Sequence, residues 1–238
     1  MSSRKDQKQA NRMVREQLAK EQRRRATVWI SVAAVAALLV AGVIGYGVFA
    51  SQRTGEVFTP TAATADGSGF AVGTGPVTVD VYEDFMCPAC GQFESGAAAT
   101  IDQLVKDAKV TVVYHPIAIL DRFSQGTDYS TRASGAAACA ADGGTFAEYH
   151  SVLFQNRPEE NTPGLDDDKL ISLGTGLGLG DSFTQCVKDG RYKTWSAQIT
   201  DKASERGVTG TPTVLVAGTV LQDRSATGLT TAVESAVK

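Results

Sequence analysis

Metal ligands are scarce in this sequence of 238 residues, which contains only two histidines and four cysteines. A structural zinc site needs four ligands, usually supplied as two closely spaced pairs. Cys87 and Cys90 form one such pair, but Cys139 and Cys186 each stand alone, and neither histidine has ligand spacing. The sequence therefore predicts no metal site.

Positive charge is in short supply in the larger, C-terminal part of the chain. Residues 51–238 contain 14 Lys and Arg against 23 Asp and Glu, whereas residues 1–27 contain nine basic and three acidic residues. Binding to nucleic acid needs a basic surface. The acidic main domain therefore argues against nucleic acid as a partner.

Charge and proline are both absent from residues 28–50, a run of 23 residues between two charged segments. A helix of this length, at about 1.5 Å per residue, covers the roughly 30 Å of a bilayer's hydrocarbon core. The basic excess of residues 1–27 predicts that this tail stays in the cytoplasm. We therefore expect a single-pass transmembrane helix that anchors the chain in the cell membrane and places the main domain outside the cytoplasm.

A cleaved signal peptide is the alternative, because Val48-Phe49-Ala50 is an acceptable cleavage site. The apolar run is longer than the usual signal core of about 7–15 residues, which favours the anchor. Both interpretations place the main domain outside the cytoplasm. The basic tail is either a solvated topology signal or a helix that lies on anionic lipid headgroups.

The order of predicted elements indicates an α/β domain at residues 70–238, preceded by a flexible linker rich in Thr, Ala, Gly and Ser at 51–69. The pattern predicts strands at 77–82 and 109–119, two strands within 211–222, and helices at 87–108, 128–142, 145–156, 166–177, 181–207 and 230–238. A strand, a helix and a second strand in this order form a βαβ unit. With a cysteine pair at the first strand-to-helix junction, the order predicts a thioredoxin fold interrupted by a helical insertion at about 121–207.

The segment Cys87-Pro88-Ala89-Cys90 opens the predicted helix at 87–108. Proline is favoured at the first position of a helix, which places Cys87 at the N-terminus. The partial positive charge and free N–H groups there stabilise a thiolate, so we expect Cys87 to be the nucleophile and Cys90 to resolve mixed disulfides. A metal site and a purely structural bridge are the alternatives, and the spacing favours a redox dithiol.

The remaining cysteines, Cys139 and Cys186, each lie within a predicted helix of the insertion. In an oxidising compartment an even number of cysteines suggests pairing, so we expect a structural disulfide between two helices. Closing a loop of this size stabilises by about 4 kcal/mol in the chain-entropy model. Buried free thiols or a second catalytic relay are the alternatives.

Two polar residues near the predicted strand ends have open roles. Asp84 lies three residues before Cys87, where a carboxylate could accept a proton from the resolving cysteine through water. Solvation at the end of a strand is the alternative for Asp84. His115 ends the strand at 109–119, and we interpret it as structural.

Five sequence blocks, "DFMCPACGQFE", "VYHPIAIL", "GAAACAA…TFAEYHSVLF", "FTQCVKDGRY" and "GVTGTPTVLVAG", together resemble the DsbA-like thiol–disulfide oxidoreductases, particularly the membrane-anchored type of Gram-positive and actinobacterial envelopes. The resemblance implies that Pro212 is a cis-proline beside Cys87 and that the backbone of Thr211 pairs with an extended client segment. It also implies reduced, unfolded exported proteins as clients. A membrane reoxidase of the DsbB or vitamin K epoxide reductase type is implied as a partner, with no bound cofactor.

The sequence departs from the family pattern at Ala89, where strongly oxidising members have histidine, and at Thr211, where they have valine. Because alanine neither donates a hydrogen bond nor carries charge, we expect a milder oxidant. The leading hypothesis is an oxidase that introduces disulfides into exported proteins. The alternatives are an envelope reductase or isomerase, and a non-catalytic binding or chaperone module that uses the groove around Pro212.

Overall fold

The computed structural model describes residues 57–237. The predicted cytoplasmic tail at 1–27 and transmembrane helix at 28–50 lie outside the described residues, as does the start of the predicted linker. Within 57–237 no helix has both the length and the apolar character needed to span a bilayer.

A five-stranded mixed sheet forms the centre of the domain, with strand order β1-β3-β2-β4-β5. The strands are β1 (Phe70–Gly73), β2 (Val77–Glu83), β3 (Val110–Pro116), β4 (Thr213–Val216) and β5 (Thr219–Val220). β2 and β3 are parallel, and all other pairs are antiparallel. Alternating valines at 77, 79 and 81 are buried, as the period of two in the sequence predicts. β2 is therefore the central strand of the sheet.

The described residues also form seven helices: α1 (Pro88–Lys106), α2 (Tyr129–Asp142), α3 (Phe146–Gln155), α4 (Asp167–Gly176), α5 (Asp181–Lys188), α6 (Lys193–Glu205) and α7 (Ala226–Ala236). α1 connects the parallel strands β2 and β3 and completes the predicted βαβ unit. It buries Phe93, Ala97, Ile101 and Leu104 at spacings of three and four residues. The thioredoxin-like α/β fold with a helical insertion is therefore confirmed.

The insertion between β3 and β4 starts with a short 3₁₀ helix (Asp121–Phe123) and continues through α2 to α6. The single helix predicted at 181–207 is wrong, because the chain leaves the helical conformation between α5 and α6, where Gly190 has φ +58°. Only glycine adopts this backbone conformation at little cost. The acids predicted to favour the start of α4 do so, since the Asp166 side chain accepts a hydrogen bond from the Lys169 N–H at 2.8 Å.

The ordered domain begins earlier than the sequence predicts. Part of the segment assigned to a flexible linker, residues 60–69, is held by specific contacts: the Thr61 hydroxyl donates to Asp142 at 2.8 Å, and the Trp195 indole donates to the carbonyl of Gly67 at 2.8 Å. The polarity of this segment indicated solvent exposure, but its polar groups bond to the insertion helices instead. The last helix is also longer than predicted, because the Ser225 hydroxyl caps it by accepting from the Gly228 N–H.

Candidate active site

Cys87 and Cys90 lie where β2 ends and α1 begins, at the edge of the central sheet. Cys87 is the N-cap residue of α1 and Pro88 occupies the first turn. The Cys87 N–H donates to the carbonyl of Asp84 at 2.9 Å, which fixes the approach of the chain to the helix. Both thiols are free, but Cys87 retains 6% exposure whereas Cys90 retains 1%. Cys87 is therefore the sulfur of the pair that a client reaches first.

The environment of Cys87 favours its thiolate. A hydrogen bond from the Cys90 thiol lowers the pKa of Cys87 to about 5, against the opposing effect of burial. The side chain of Thr211 and the N–H groups of Ala89 and Cys90 contribute to the same lowering of the pKa. Two of these donors are backbone groups of the first helical turn, which are unpaired at any helix N-terminus.

Cys90 has the opposite environment, although it is only one helical turn away. Burial raises the pKa of the Cys90 thiol far above its ordinary value, and its hydrogen bond to Cys87 and the negative charge of Cys87 add to the effect. At neutral pH the reduced pair therefore holds one thiolate, on Cys87, and one proton, on Cys90. This asymmetry is the arrangement that thiol–disulfide exchange requires of an attacking and a resolving cysteine.

The loop before β4 closes the other side of the site. The Thr211–Pro212 peptide bond is cis. The carbonyl of Thr211 lies 3.3 Å from Cys87 Sγ and accepts a hydrogen bond from it when Cys87 is protonated. The structure thus brings the pair Cys87 and Cys90 together with Thr211 and Pro212, which lie more than a hundred positions later in the sequence.

Comparison with known proteins agrees with this geometry. A family model described as thioredoxin matches residues 72–235. The reduced form of DsbA from Mycobacterium tuberculosis superimposes with a TM-score of 0.64 and 31% identity, over 71% of this chain and 92% of that one. Reduced DsbG from the same organism gives a TM-score of 0.63 and 33% identity, over 70% of this chain and 86% of that one. This chain belongs to the DsbA-like thiol–disulfide oxidoreductases.

A curated relative outside these enzymes shares part of the sequence. The serine/threonine-protein kinase PknE of Mycobacterium tuberculosis is 35% identical over 121 residues, which is 48% of this chain. The match covers 21% of the kinase, so this DsbA-like chain spans about a fifth of that relative's length.

Asp84 is fully buried, which rules out the alternative of a solvated carboxylate at the end of a strand. Its Oδ1 accepts from the Met86 N–H at 2.9 Å and the Ser130 hydroxyl at 2.7 Å, and its Oδ2 accepts from the Leu120 N–H at 3.0 Å. Burial raises the pKa of Asp84 to about 7, although these hydrogen bonds oppose the shift. The side chain therefore joins the active-site loop to α2, and its raised pKa lies near neutral pH.

Glu83, the residue next to Asp84, belongs to a second buried polar group that the sequence did not predict. His150 Nε2 is 2.7 Å from Glu83 Oε1, and His150 Nδ1 is 3.7 Å from Glu94 Oε1. Burial lowers the pKa of His150, but the charges of the two carboxylates outweigh it and the pKa is raised. Burial also raises the pKa of Glu94. The signal available in the sequence was a single histidine on the apolar face of α3, between Phe146 and Phe154.

His115 lies away from the cysteines and is held between neighbouring elements. Its Nδ1 is 2.7 Å from the carbonyl of Ser68, its Nε2 is 3.0 Å from Asp80, and its ring stacks on Tyr82 with centroids 4.2 Å apart. These contacts agree with a structural role.

Cys139 on α2 and Cys186 on α5 are joined by a disulfide bond, with Cα atoms 5.9 Å apart. The bond links two helices of the insertion and lies outside the catalytic pair. Within residues 57–237 no group of three or more His, Cys, Asp or Glu side chains is arranged to hold a metal ion.

Proposed function

We propose that this chain is an extracytoplasmic oxidase that introduces disulfides into reduced, unfolded exported proteins through its Cys87-Pro88-Ala89-Cys90 segment. The observation that carries the proposal is the asymmetry of the pair: the pKa of Cys87 is lowered to about 5, whereas Cys90 is buried and its pKa is raised. A stable Cys87 thiolate favours the reduced form of the enzyme and so drives the transfer of its disulfide to clients.

The exchange takes two steps. A client thiolate attacks Cys87 Sγ, the Cys87–Cys90 bond breaks, and Cys90 leaves as a thiolate that takes up one proton. A second client thiolate then attacks the client sulfur of the mixed disulfide, and Cys87 leaves as its stabilised thiolate. The client loses two electrons and gains a disulfide, and the enzyme gains the two electrons as its reduced dithiol.

Asp84 is the proposed source of the proton that Cys90 takes up. Its pKa of about 7 lets it hold or release a proton under physiological conditions. The Asp84 backbone forms a hydrogen bond with the Cys90 sulfur, so Asp84 lies next to the reacting thiol. Transfer over the remaining gap would run through water.

Clients are proposed to bind in an extended conformation along the Thr211–Pro212 loop. The carbonyl of Thr211, 3.3 Å from Cys87 Sγ, is placed to align a client backbone with the reacting sulfur. Recognition through backbone groups suits an enzyme that oxidises many unrelated proteins.

Reoxidation is proposed to depend on a membrane protein of the DsbB or vitamin K epoxide reductase type. The apolar run at residues 28–50 supports this proposal, because an anchored enzyme and its reoxidase would diffuse in one plane at raised effective concentration. No bound cofactor is part of the proposed reaction.

A reductase or isomerase is the second candidate, and Ala89 is the observation that favours it. The residue is exposed and its methyl group supplies no hydrogen bond to Cys87. A reduction potential of the Cys87–Cys90 pair near that of thioredoxin, about −270 mV, would favour this candidate, and one near that of DsbA, about −120 mV, the oxidase.

The test is refolding of a reduced client that needs disulfides, with the oxidised full chain as the only oxidant. We expect at most one client disulfide per molecule of oxidised native chain and none with Cys87→Ser. Equal rates of client disulfide formation for the two proteins would overturn the proposal. Client refolding that is promoted equally by both, without disulfide transfer, would instead favour a binding module.

A further inference from the structure

Arg157 lies against the active-site loop, although it follows α3 and is distant in sequence from the cysteines. Its Nη1 donates to the carbonyl of Met86 at 3.3 Å and to the carbonyl of Pro158 at 2.8 Å. Met86 immediately precedes Cys87. The guanidinium group is therefore held at the start of α1, at the residue that precedes the reactive cysteine.

Gly91 gives the reason why the arginine fits there. Its N–H donates to the carbonyl of Cys87 at 3.2 Å, so the two residues stand one turn apart on the same face of α1. A Cβ at position 91 would lie 3.1 Å from Arg157 Nε and 3.3 Å from Arg157 Cδ. Glycine within a helix costs about 1 kcal/mol relative to alanine. This cost is offset by the space that it leaves for the arginine across the first turn.

The charge of Arg157 has no counter-ion within residues 57–237. No carboxylate oxygen of these residues lies within 4.0 Å of the guanidinium, although Glu159 and Glu160 follow in the same loop. The two hydrogen bonds use Nη1, and the described residues supply no acceptor for Nε or Nη2. A half-buried guanidinium in this state retains the planar donor pattern that binds a carboxylate through two hydrogen bonds.

We infer that Arg157 binds a carboxylate of the client beside the mixed disulfide and so selects clients with Asp or Glu close to the reacting cysteine. This inference rests on the proposed function, because it concerns the client that reacts with Cys87. Arg157 would then hold the client carboxylate while Cys87 holds the client sulfur, both at the first turn of α1. Such a contact between partly exposed charges corresponds to an increase of about three- to tenfold in kcat/KM.

The test uses a set of model peptides with two cysteines and amidated C-termini, so that only side chains supply carboxylates. Each peptide carries Asp or the matched Asn at one position within three residues of a cysteine. The readout is the ratio of kcat/KM for oxidation of the Asp peptide to that of the Asn peptide by the full chain, with oxidised glutathione in excess to regenerate the Cys87–Cys90 disulfide and its direct reaction with each peptide subtracted. We expect a ratio of about three to ten at one or more positions, expressed mainly in KM.

Three variants separate binding from structure. Arg157→Gln should bring the ratio to about one, and Arg157→Lys should leave an intermediate ratio, because lysine keeps the charge but loses the planar donor pattern. Lys106→Gln makes the same change in net charge at the far end of α1 and should keep the native ratio. Gly91→Ala should lower the ratio by displacing the arginine.

The outcomes distinguish this inference from the proposed function. A native ratio of about one at all positions, or a ratio that survives Arg157→Gln, would overturn it while leaving the oxidase intact. Equal loss of rate on both peptides in Arg157→Gln would also overturn it, because it would show a purely structural role. Absence of oxidation of every peptide by the native chain would instead reject the proposed function.

Discussion

At the residue scale, two thiols of one helical turn differ because one faces the open N-terminus of a helix and the other faces the protein interior. Cys87 accepts hydrogen bonds from Cys90, from the Thr211 side chain and from two backbone N–H groups. Cys90 has few such donors, and burial destabilises its thiolate and raises its pKa. The spacing of two residues is sufficient to predict this difference from the sequence.

Asp84 should make the stability of the domain depend on pH. Its pKa is about 7 in the folded state and 3.8 as the ordinary value, so between pH 4 and 7 the unfolded chain loses a proton that the folded chain keeps. The free energy of unfolding should therefore fall with rising pH through this window, by about 4 kcal/mol or less from this group.

The measurement is chemical denaturation of native protein and Asp84→Asn at pH 4 and pH 8. We expect the variant to gain stability relative to the native protein as the pH rises, because the amide does not titrate. It should still lose at least one hydrogen bond, since its NH₂ group is a donor and cannot accept from the Leu120 N–H that now bonds to Oδ2. Parallel pH dependences for the two proteins would show that Asp84 is ionised in the fold.

Ala89 should set how oxidising the enzyme is. We expect Ala89→His to lower the pKa of Cys87, because a histidine at the exposed first turn adds a donor and a partial positive charge near the thiolate. Each unit of pKa would raise the reduction potential by about 30 mV. Equilibration with glutathione buffers measures the potential, and an unchanged value would show that residue 89 lies too far from the sulfur to act on it.

At the element scale, the sequence predicts the helices and strands well where periodicity is strong and poorly where contacts from distant parts of the chain decide. The βαβ unit around α1 follows from local pattern. The break between α5 and α6 has a local signal in Gly190, which the helical periodicity of residues 181–207 concealed. The ordering of residues 60–69 does not follow from local pattern, because it depends on partners far along the chain. For the same reason the contacts of Arg157 with the active-site loop were not predicted.

The same distinction applies to the candidate site. Neighbouring residues such as Cys87 and Cys90 reveal their relation by spacing alone. The group formed by Glu83, Glu94 and His150 comes from β2, α1 and α3, and only the tertiary fold brings the three side chains together. The position of Pro212 beside Cys87 was predicted through family resemblance, since the residues between them give no local signal.

Packing of α4 against α5 should depend on a glycine. A Cβ at Gly174 would lie 2.2 Å from a ring atom of Phe183, a buried side chain of α5, whereas a Cβ at Gly176 would meet nothing within 4 Å. We expect Gly174→Ala to lower the free energy of unfolding by about 1–3 kcal/mol through overpacking. The matched control Gly176→Ala should be neutral or stabilising by up to about 1 kcal/mol. Equal effects of the two substitutions would mean that the ring of Phe183 moves aside freely.

At the scale of the whole molecule, the distribution of charge and hydropathy predicts that the basic tail and the acidic catalytic domain lie on opposite sides of a membrane. The apolar run between them would cross it. Alkaline phosphatase fused after Lys238 should be active, since the phosphatase works only after export. After carbonate extraction the full-length chain should remain with the membranes.

Mass measurement of the extracted chain distinguishes the anchor from a cleaved signal. A product of full mass in the membrane pellet is expected for an anchor at residues 28–50. A soluble product that begins at residue 51 would show cleavage after Ala50, and an inactive phosphatase fusion would contradict export altogether.

The account depends most directly on the ionisation of Cys87, which absorbance of the thiolate at about 240 nm reports in the reduced full chain, with Cys87→Ser as the blank. A single transition with a pKa of about 5 is expected, and Cys90→Ala should shift it upward, because the Cys90 thiol supplies the largest stabilising hydrogen bond. A transition near 8.5, the value of an ordinary cysteine, would contradict the account.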